Sequence, residues 1–275
     1  MLLDYHLHTV YCHHAVGTID DYLRRAEELG MEEVCFTEHI SRQWLPEDFK
    51  RQLPYTWMLE EELDVYLQKV EAAAAGTPLT VRRGLETDYF AGYEQELQEF
   101  LASLPLDFVL GSVHLLPMYG FEYVMSIEDE PVRLLLNYLE YVKLAVESGL
   151  FDSMAHIHLG WQAVPWPHGA DGRLAEDALA EIVAAARRQD MCLEINTRAF
   201  NFEGYGTPEA YGKFLQLIAD NNVPVTLGSD AHSPKEVGRN YSKALRALAD
   251  YGIKEAAAFT QRKRQMVPLG SVVIR

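Results

Sequence analysis

Short apolar runs alternate along the chain with longer amphipathic stretches that carry apolar residues at helical spacing. This alternation is typical of parallel strands joined by crossover helices. The apolar runs predict strands near residues 2–6, 33–37, 80–86, 107–113, 152–156, 191–196 and 223–229, and a last short strand near 256–260. The amphipathic stretches predict helices near residues 18–29, 58–75, 93–103, 131–147, 175–188, 208–221 and 241–251. Such a series of strand–helix units predicts an α/β barrel.

A chain of 275 residues suits one barrel domain, and no linker-like tract, low-complexity segment or internal repeat divides it. We therefore predict a single domain over residues 1–275. The first residues contain no basic segment followed by a long apolar one, and no apolar run approaches the length that spans a bilayer. These features predict a soluble, cytoplasmic protein, and they specify no oligomeric state.

Polar residues of metal-ligating types follow nearly every predicted strand. In α/β barrels the active site lies at the carboxyl ends of the strands. Residues i and i+2 of a strand point to the same side, so His6 and His8 project together from the first strand. The residues at the predicted strand ends are His6 and His8, Glu38 and His39, Glu86 and Asp88, His114, His156 and His158, Asn196 and Arg198, and Asp230 and His232. The sequence therefore predicts one rim of the barrel lined with candidate ligands.

These side chains are imidazoles and carboxylates, a donor set that suits Zn, Mn or Fe(II). They are too many for one ion of ordinary coordination number, so we predict two to three divalent metal ions. Cys12, Cys35 and Cys192 lack the spacing of a zinc finger or a redox motif and are expected to be reduced thiols. His168 lies in a loop and is expected to play no part in the site.

The formal net charge of −17 disfavours a nucleic-acid or anionic-membrane surface, because both partners attract basic proteins. Bound divalent cations can nevertheless make a pocket of an acidic protein attractive to an anion. The charge is therefore compatible with a small phosphate ester as the partner, provided that the rim holds metal ions.

Specific motifs follow one another along the chain at these strand ends. They are His6-Leu7-His8-Thr9 with Cys12-His13-His14-Ala15, then Thr37-Glu38-His39, Gly84-Leu85-Glu86-Thr87-Asp88-Tyr89, Gly111-Ser112-Val113-His114, Ala155-His156, Leu193-Glu194-Ile195-Asn196-Thr197 and Gly228-Ser229-Asp230-Ala231-His232. A lone His-x-His would be weak evidence, but the ordered series is specific. From Asp4 to about Leu269 the chain resembles the PHP (polymerase and histidinol phosphatase) superfamily, and within it the stand-alone histidinol-phosphate phosphatases.

This resemblance implies a distorted (β/α)7 barrel of the TIM type with a trinuclear metal centre. Position by position, it assigns the first metal to His6, His8, Glu86 and Asp230, the second to Glu86, His114 and His156, and the third to His14, His39 and His232. Glu86 would bridge the first two metals, which would hold a hydroxide against the phosphorus of L-histidinol phosphate. Glu86, Asp230 and His232 are then the candidate catalytic residues, and Glu38 and Asp88 are candidates for orienting the ligands.

The chain departs from the family pattern on the side of the expected substrate pocket. His158 stands where the family usually has Asp, Trp161 where it usually has a basic residue, and Arg198 comes earlier than the usual arginine. Guanidinium groups match the geometry of phosphate oxygens, so Arg198, Arg42 and Arg239 are candidate substrate-binding residues together with His158 and Trp161. Aromatic residues that could wall the pocket are Trp44, Trp57, Trp161, Trp166, Tyr119 and Phe200.

Several alternatives stay open at this point. The same chemistry could act on a nucleotide, a sugar phosphate, phosphotyrosine or an oligonucleotide end. An amidohydrolase-like barrel also begins with His-x-His, although no lysine falls at a predicted strand end to bridge its metals. A metal-binding module without catalysis is the third alternative. The proton donor to the leaving group is also open between His13, His158 and a metal-bound water.

Overall fold

The computed structural model describes residues 1–40, 42–53, 57–200 and 208–270. Its main sheet contains seven parallel strands in the order β1-β2-β3-β4-β7-β8-β9. These are β1 Leu3–Leu7, β2 Glu33–Ile40, β3 Thr80–Asp88, β4 Phe108–Ser112, β7 Ser153–Met154, β8 Cys192–Asn196 and β9 Val225–Gly228. The amide of His8 donates to the Ala231 carbonyl (3.0 Å), and the Ala231 amide donates to the His6 carbonyl (3.3 Å). The last strand therefore meets the first, and the predicted seven-stranded barrel of the TIM type is confirmed.

The helices surround this barrel and fall where the amphipathic pattern predicts them. They are α1 Ile19–Glu28, α3 Leu63–Ala74, α4 Glu94–Ala102, α5 Pro131–Glu147, α7 Gly169–Arg188, α8 Pro208–Asn221 and α9 Tyr241–Asp250, with two short unpredicted helices, α2 Glu47–Lys50 and α6 Leu159–Ala163. The predicted start of α7 at residue 175 is wrong because its first turn contains Gly169 and Gly172, which are poor helix formers. Packing explains why residue 172 is a glycine, since a Cβ there would lie 2.7 Å from the Pro167 carbonyl oxygen.

A hairpin closes the amino-terminal end of the barrel. The predicted strand near 256–260 exists as β10 Glu255–Thr260, but it pairs antiparallel with β11 Lys263–Pro268 and does not join the main sheet. The Arg262 guanidinium lies 3.0 Å from the Asp152 carboxylate, and the Phe259 amide donates to the Tyr5 hydroxyl (2.7 Å). These contacts hold the hairpin against the end of the barrel opposite the candidate site.

The register of the strands brings the polar residues of that rim side by side. His39 of β2 pairs with Glu86 of β3, and Asp88 pairs with Ser112 of β4. Residues that pair across neighbouring strands point to the same face of the sheet, so the motifs of neighbouring strands converge. Gly228 permits the last strand to approach, because a Cβ there would lie 2.4 Å from the Cβ of His6.

The second small hairpin, β5 Leu115–Leu116 with β6 Glu122–Tyr123, follows β4 directly and brings Tyr123 towards the rim. Sequence periodicity does not reveal strands this short. In the described parts of the chain, no helix is both long enough and apolar enough to cross a membrane.

Candidate metal centre

The first group of candidate ligands comes from β1, β3 and the loop after β9. The Nε2 atom of His6 lies 3.0 Å from Nε2 of His8, 3.3 Å from Glu86 Oε2 and 3.8 Å from Asp230 Oδ1. Nε2 of His8 lies 3.5 Å from each of the same two carboxylate oxygens. All four side chains are buried. Three donor atoms, from His6, His8 and Glu86, therefore lie within 4.8 Å of one another, and the Asp230 carboxylate lies beside the two imidazoles.

These distances fit a divalent ion. Metal–ligand bonds of 2.0–2.2 Å in a tetrahedral site separate the ligand atoms by about 3.4 Å. The five separations that involve His6 or His8, from 3.0 to 3.8 Å, scatter about that value. Two imidazole nitrogens and two carboxylate oxygens also form a donor set that Zn, Mn and Fe(II) accept.

A second group gathers around the other oxygen of Glu86. Glu86 Oε1 lies 2.7 Å from Nε2 of His156 and 3.6 Å from Nε2 of His114. The two oxygens of one carboxylate thus face two separate sets of imidazoles. This is the arrangement that a carboxylate bridging two metal ions requires.

The third predicted group is spread over two sets of close donor atoms that share His232, one with His8 and His39 and the other with Cys12 and His14. The Nε2 atoms of His14 and His232 lie 3.0 Å apart at the outer edge of the rim. His39, however, directs Nδ1 to Glu86 Oε2 at 2.9 Å, and its ring centroid lies 5.4 Å from that of His14 and 6.1 Å from that of His232. The ring of His39 stacks on that of His8 at 4.2 Å. His39 therefore stands between the inner and outer groups.

Buried carboxylates orient these imidazoles from behind. Asp88 Oδ1 accepts a hydrogen bond from the His114 amide (2.7 Å) and lies 3.2 Å from its Nδ1 atom. Glu38 accepts from the amide of Thr9 (2.8 Å) and from its hydroxyl, and it lies 3.4 Å from Nδ1 of His8. Such contacts fix the tautomer of a ligating histidine. The structure thus places Glu38 and Asp88 where the sequence predicts orienting residues.

Glu194 of β8 is an orienting residue that the sequence analysis missed. Its Oε1 atom lies 2.6 Å from Nδ1 of His6. Its Oε2 atom accepts hydrogen bonds from the His156 amide (2.8 Å) and from Nδ2 of Asn196 (3.1 Å). The available signal was a carboxylate inside an otherwise apolar strand, two residues before Asn196 and therefore on the same face.

The charged states of these groups depend on their neighbours. Burial alone would raise the pKa of Glu86 and of Asp230, but the surrounding histidines hold both pKa values well below the ordinary range. Burial lowers the pKa of His8 to about 4 and those of His39 and His232 to about 3, so all three imidazoles are neutral at pH 7. Neutral imidazole is the form that binds metal.

Two histidines have pKa values that are raised instead of lowered. Burial lowers the pKa of His6, but Glu194, Glu86 and Asp230 outweigh it and raise that pKa well above its ordinary value. For His114, Asp88 and Glu86 likewise outweigh burial and raise the pKa to about 9. In the metal-free protein these two imidazoles therefore carry protons that a metal ion would have to displace.

Two candidate ligands have strained backbones. The φ angles of His156 (22°) and Asp230 (53°) are positive, a conformation that is uncommon outside glycine, although Asp and His adopt it more often than most residues. The Arg239 guanidinium donates to the carbonyl of Ser229 (2.9 Å) and to that of Asp230, and it lies 3.3 Å from Glu236. These contacts hold the loop after β9 in place. Strain of this kind persists where the surrounding structure fixes it, and it is frequent at functional sites.

Comparison with known proteins identifies the family. The model of the PHP domain family matches residues 4–198, which is well over half of the chain. The chain belongs to the PHP family. A protein of Deinococcus radiodurans described as a probable histidinol-phosphatase is 34% identical, and the match covers 97% of this chain and 99% of that protein. The histidinol-phosphatase of Lactococcus lactis is 29% identical, with 95% of each chain covered.

A solved structure supports the fold. The crystal structure of histidinol phosphate phosphatase from Lactococcus lactis, a complex with Zn, L-histidinol and phosphate, superposes with a TM-score of 0.80. The match covers 96% of this chain and 98% of that chain at 24% sequence identity. The distorted barrel that the PHP resemblance implies is therefore the observed architecture.

Six of the nine candidate ligands of this PHP domain line a cavity of about 640 Å³. Its walls are formed by Cys12, His13, His14, His39, Trp57, His114, Tyr123, His156, His158, Leu159, Gln162, Arg198, Asp230 and His232. Of the predicted substrate-binding residues, His158 and Arg198 line this cavity. Trp57, one of the predicted aromatic walls, stacks on His39 with ring centroids 4.8 Å apart.

Three predicted substrate-binding residues lie elsewhere. Trp161 is 2% exposed and packs against Trp166 and Phe214, so its indole belongs to the hydrophobic core. The guanidinium of Arg42 donates to the Leu53 carbonyl (2.9 Å) outside the cavity. Arg239 is engaged with the backbone after β9. Trp161, Arg42 and Arg239 therefore do not line this cavity, because side-chain direction in a loop or short helix follows packing, which residue spacing does not encode.

The remaining aromatic candidates also pack away from the cavity, and these are Trp44, Trp166, Tyr119 and Phe200. Tyr123, Leu159 and Gln162 are wall residues that the sequence analysis missed, because they lie on the short elements β6 and α6 that it did not predict. At the mouth, His13 lies 3.0 Å from Glu62.

The cysteines are unpaired and buried, as expected. Burial raises the pKa of the Cys12 thiol, and its Sγ atom donates to the Thr9 carbonyl at 3.1 Å. Cys12 does approach the candidate ligands, since its sulfur and the ring nitrogens of His14 and His232 lie within 4.8 Å of one another.

Proposed function

We propose that this PHP protein is a metal-dependent phosphatase that hydrolyses L-histidinol phosphate to L-histidinol and phosphate. The observation that carries the proposal is the position of Glu86, whose two carboxylate oxygens face separate sets of imidazoles beside the cavity. The full-length similarity to proteins described as histidinol-phosphatases supports the choice of substrate.

The donor sets would hold two to three divalent ions of Zn, Mn or Fe. His6, His8, Glu86 and Asp230 would bind one ion, Glu86 with His114 and His156 a second, and His14 with His232 and His39 a third. When bound, such ions lower the pKa of water towards neutrality and neutralise the charge of a phosphate group. Glu86 and Asp230 suit this role, because their depressed pKa values keep both carboxylates ionised.

Arg198 would position the phosphate group. Its guanidinium is partly exposed at the cavity wall, with one nitrogen 3.5 Å from Asp230 Oδ2. A guanidinium can donate two parallel hydrogen bonds to two phosphate oxygens. Arg198 can therefore hold the ester beside the candidate ligands while Asp230 holds the guanidinium in turn.

The proposal is tested by phosphate release from a panel of esters after loading with Zn, Mn or Fe(II). The panel contains L-histidinol phosphate, nucleoside monophosphates, sugar phosphates and phosphotyrosine. We expect the highest kcat/KM with L-histidinol phosphate. A clear preference for another ester would refute the substrate, and no release from any ester with any of the three metals would refute the reaction.

A further inference from the structure

Two buried polar atoms on one wall of the cavity have no hydrogen-bond partner. They are Nε2 of His158 and Oε1 of Gln162. The backbone N–H of Gln162 donates to the His158 carbonyl at 2.9 Å. The two residues therefore lie one helical turn apart, at the start and near the end of α6. Side chains four residues apart in a helix share a face. We call this pair of side chains the α6 pair.

The α6 pair is held firmly in place. The flank of the helix is anchored by Trp161, which packs against Trp166 and Phe214 with ring centroids 5.5 and 6.2 Å away. Gly160 lies so close to Tyr138 that a Cβ would come within 2.6 Å of its ring. A helix fixed on one side in this way presents its other side to the cavity in a defined position.

Buried polar groups usually have a hydrogen-bond partner, and a water molecule or a ligand can supply it where the protein does not. Among the described residues that line the cavity, one more buried atom is unpaired, Nδ1 of His156, and its ring belongs to the candidate ligands. The α6 pair is different because neither residue faces the Glu86 carboxylate. Because His158 and Gln162 both line the cavity, a ligand bound there can supply the missing hydrogen-bond partner.

The chemistry of the α6 pair defines that ligand. The oxygen of a glutamine amide only accepts hydrogen bonds, and Nε2 of a neutral imidazole accepts when the proton is on Nδ1. Arg198 and six of the candidate metal ligands line the same cavity, and the anionic end of a substrate belongs beside them. The α6 pair is thus suited to a neighbouring group of the substrate that donates N–H bonds.

We propose that the α6 pair binds the protonated amine of the alcohol part of the substrate, and so selects esters of 2-amino alcohols. This inference rests on the proposed phosphatase function and specifies its leaving group. The ring centroids of His158 and His156 are 6.5 Å apart, and the amine of a 2-amino alcohol is only three bonds from the ester oxygen. A phosphate held beside the candidate ligands would place that amine close to α6.

The test compares two esters that differ only in the amine. These are L-histidinol phosphate and 3-(imidazol-4-yl)propyl phosphate, which has a hydrogen in place of the amino group. Gln162→Met keeps the size of the side chain but removes the acceptor. We expect kcat/KM for L-histidinol phosphate to fall about ten- to a hundredfold, the loss typical of a hydrogen bond to a charged group, and kcat/KM for the propyl ester to change by less than about threefold.

Gln162→Glu serves as a rescue, because it restores an acceptor and adds a charge that favours the ammonium group. We expect it to retain the preference for the amine-bearing ester. The matched control is Gln216→Met, at an exposed position of α8, which should leave both esters unaffected. Binding of L-histidinol to the metal-loaded protein, measured by calorimetry, should weaken in Gln162→Met and provides a readout without turnover.

An equal loss for both esters, or no loss for either, would overturn the role of the α6 pair. The outcome is separable from that of the proposed substrate. If the unaltered protein prefers another phosphate ester, L-histidinol phosphate is wrong as the substrate. The α6 pair is then judged with ethanolamine phosphate against ethyl phosphate in the same variants, and a selective loss for ethanolamine phosphate upholds it while an equal loss refutes it.

Discussion

Replacing Glu194 with glutamine should weaken metal binding although Glu194 is not itself a candidate ligand. Three N–H groups converge on its carboxylate, from the ring of His6, the amide of His156 and the side chain of Asn196, at 2.6, 2.8 and 3.1 Å. The contact with Nδ1 of His6 holds a proton there and leaves Nε2 free to bind a metal. Glu194→Gln is almost isosteric, so it tests this electrostatic role rather than packing.

The expected magnitude follows from these three contacts. A glutamine can direct its oxygen to His6 only by turning its NH₂ group against the donors of His156 and Asn196, and the reverse orientation leaves His6 without an acceptor. Either way at least one hydrogen bond to a charged group is lost, which costs roughly 1.5–3 kcal/mol. Glu194 is 2% exposed, so water cannot replace the lost contact. Each 1.4 kcal/mol is a factor of about ten, so we expect a ten- to hundredfold loss of metal affinity.

The assay is a competition between the metal-free protein and a chelating dye for Zn and for Mn. Glu181→Gln is the matched control, because Glu181 pairs with Lys143 at the surface with a side chain 63% exposed. Circular dichroism establishes that both variants are folded. A folded Glu194→Gln protein whose dissociation constant stays within about twofold of the unaltered protein would refute the idea that Glu194 sets the tautomer of His6.

Three further predictions concern the same centre. Glu86→Ala should bind at least one ion fewer per chain and lose turnover, because one side chain serves two donor groups; undiminished metal content after dialysis would contradict this. Arg198→Met should raise KM for phosphate esters about tenfold at unchanged metal content, and an unchanged KM would exclude Arg198 from phosphate binding. Since the pKa of His114 is raised to about 9, its proton stabilises the metal-free fold fully below its unfolded pKa of about 6.5, and this contribution is lost as pH rises through 9. Urea unfolding of protein freed of metal by a chelator should therefore give a lower free energy of unfolding at pH 9.5 than at pH 6. Equal values at the two pH values would refute the raised pKa of His114.

The sequence predicts the inner part of the site well because strand geometry is regular. His6 and His8 must share a face at a spacing of two, and parallel strands must bring Glu86 and His114 to the same rim. Glu194 escaped prediction because its partners lie 188 and 38 residues away, and only the closed barrel brings them together. The sequence also does not show that Trp161 packs into the core, since the direction of a side chain on a five-residue helix depends on what the helix packs against.

The buried carboxylates of this acidic chain all require a compensating positive charge at the site. Glu38, Glu86, Asp88, Glu194 and Asp230 are all buried around the histidines, where an uncompensated charge is costly. In the metal-free protein the protons on His6 and His114 supply part of the compensation. Divalent ions would displace those protons and reverse the local charge. A phosphate anion should therefore bind in the cavity only after the metal ions, so affinity for inorganic phosphate, measured by calorimetry, should depend on metal loading.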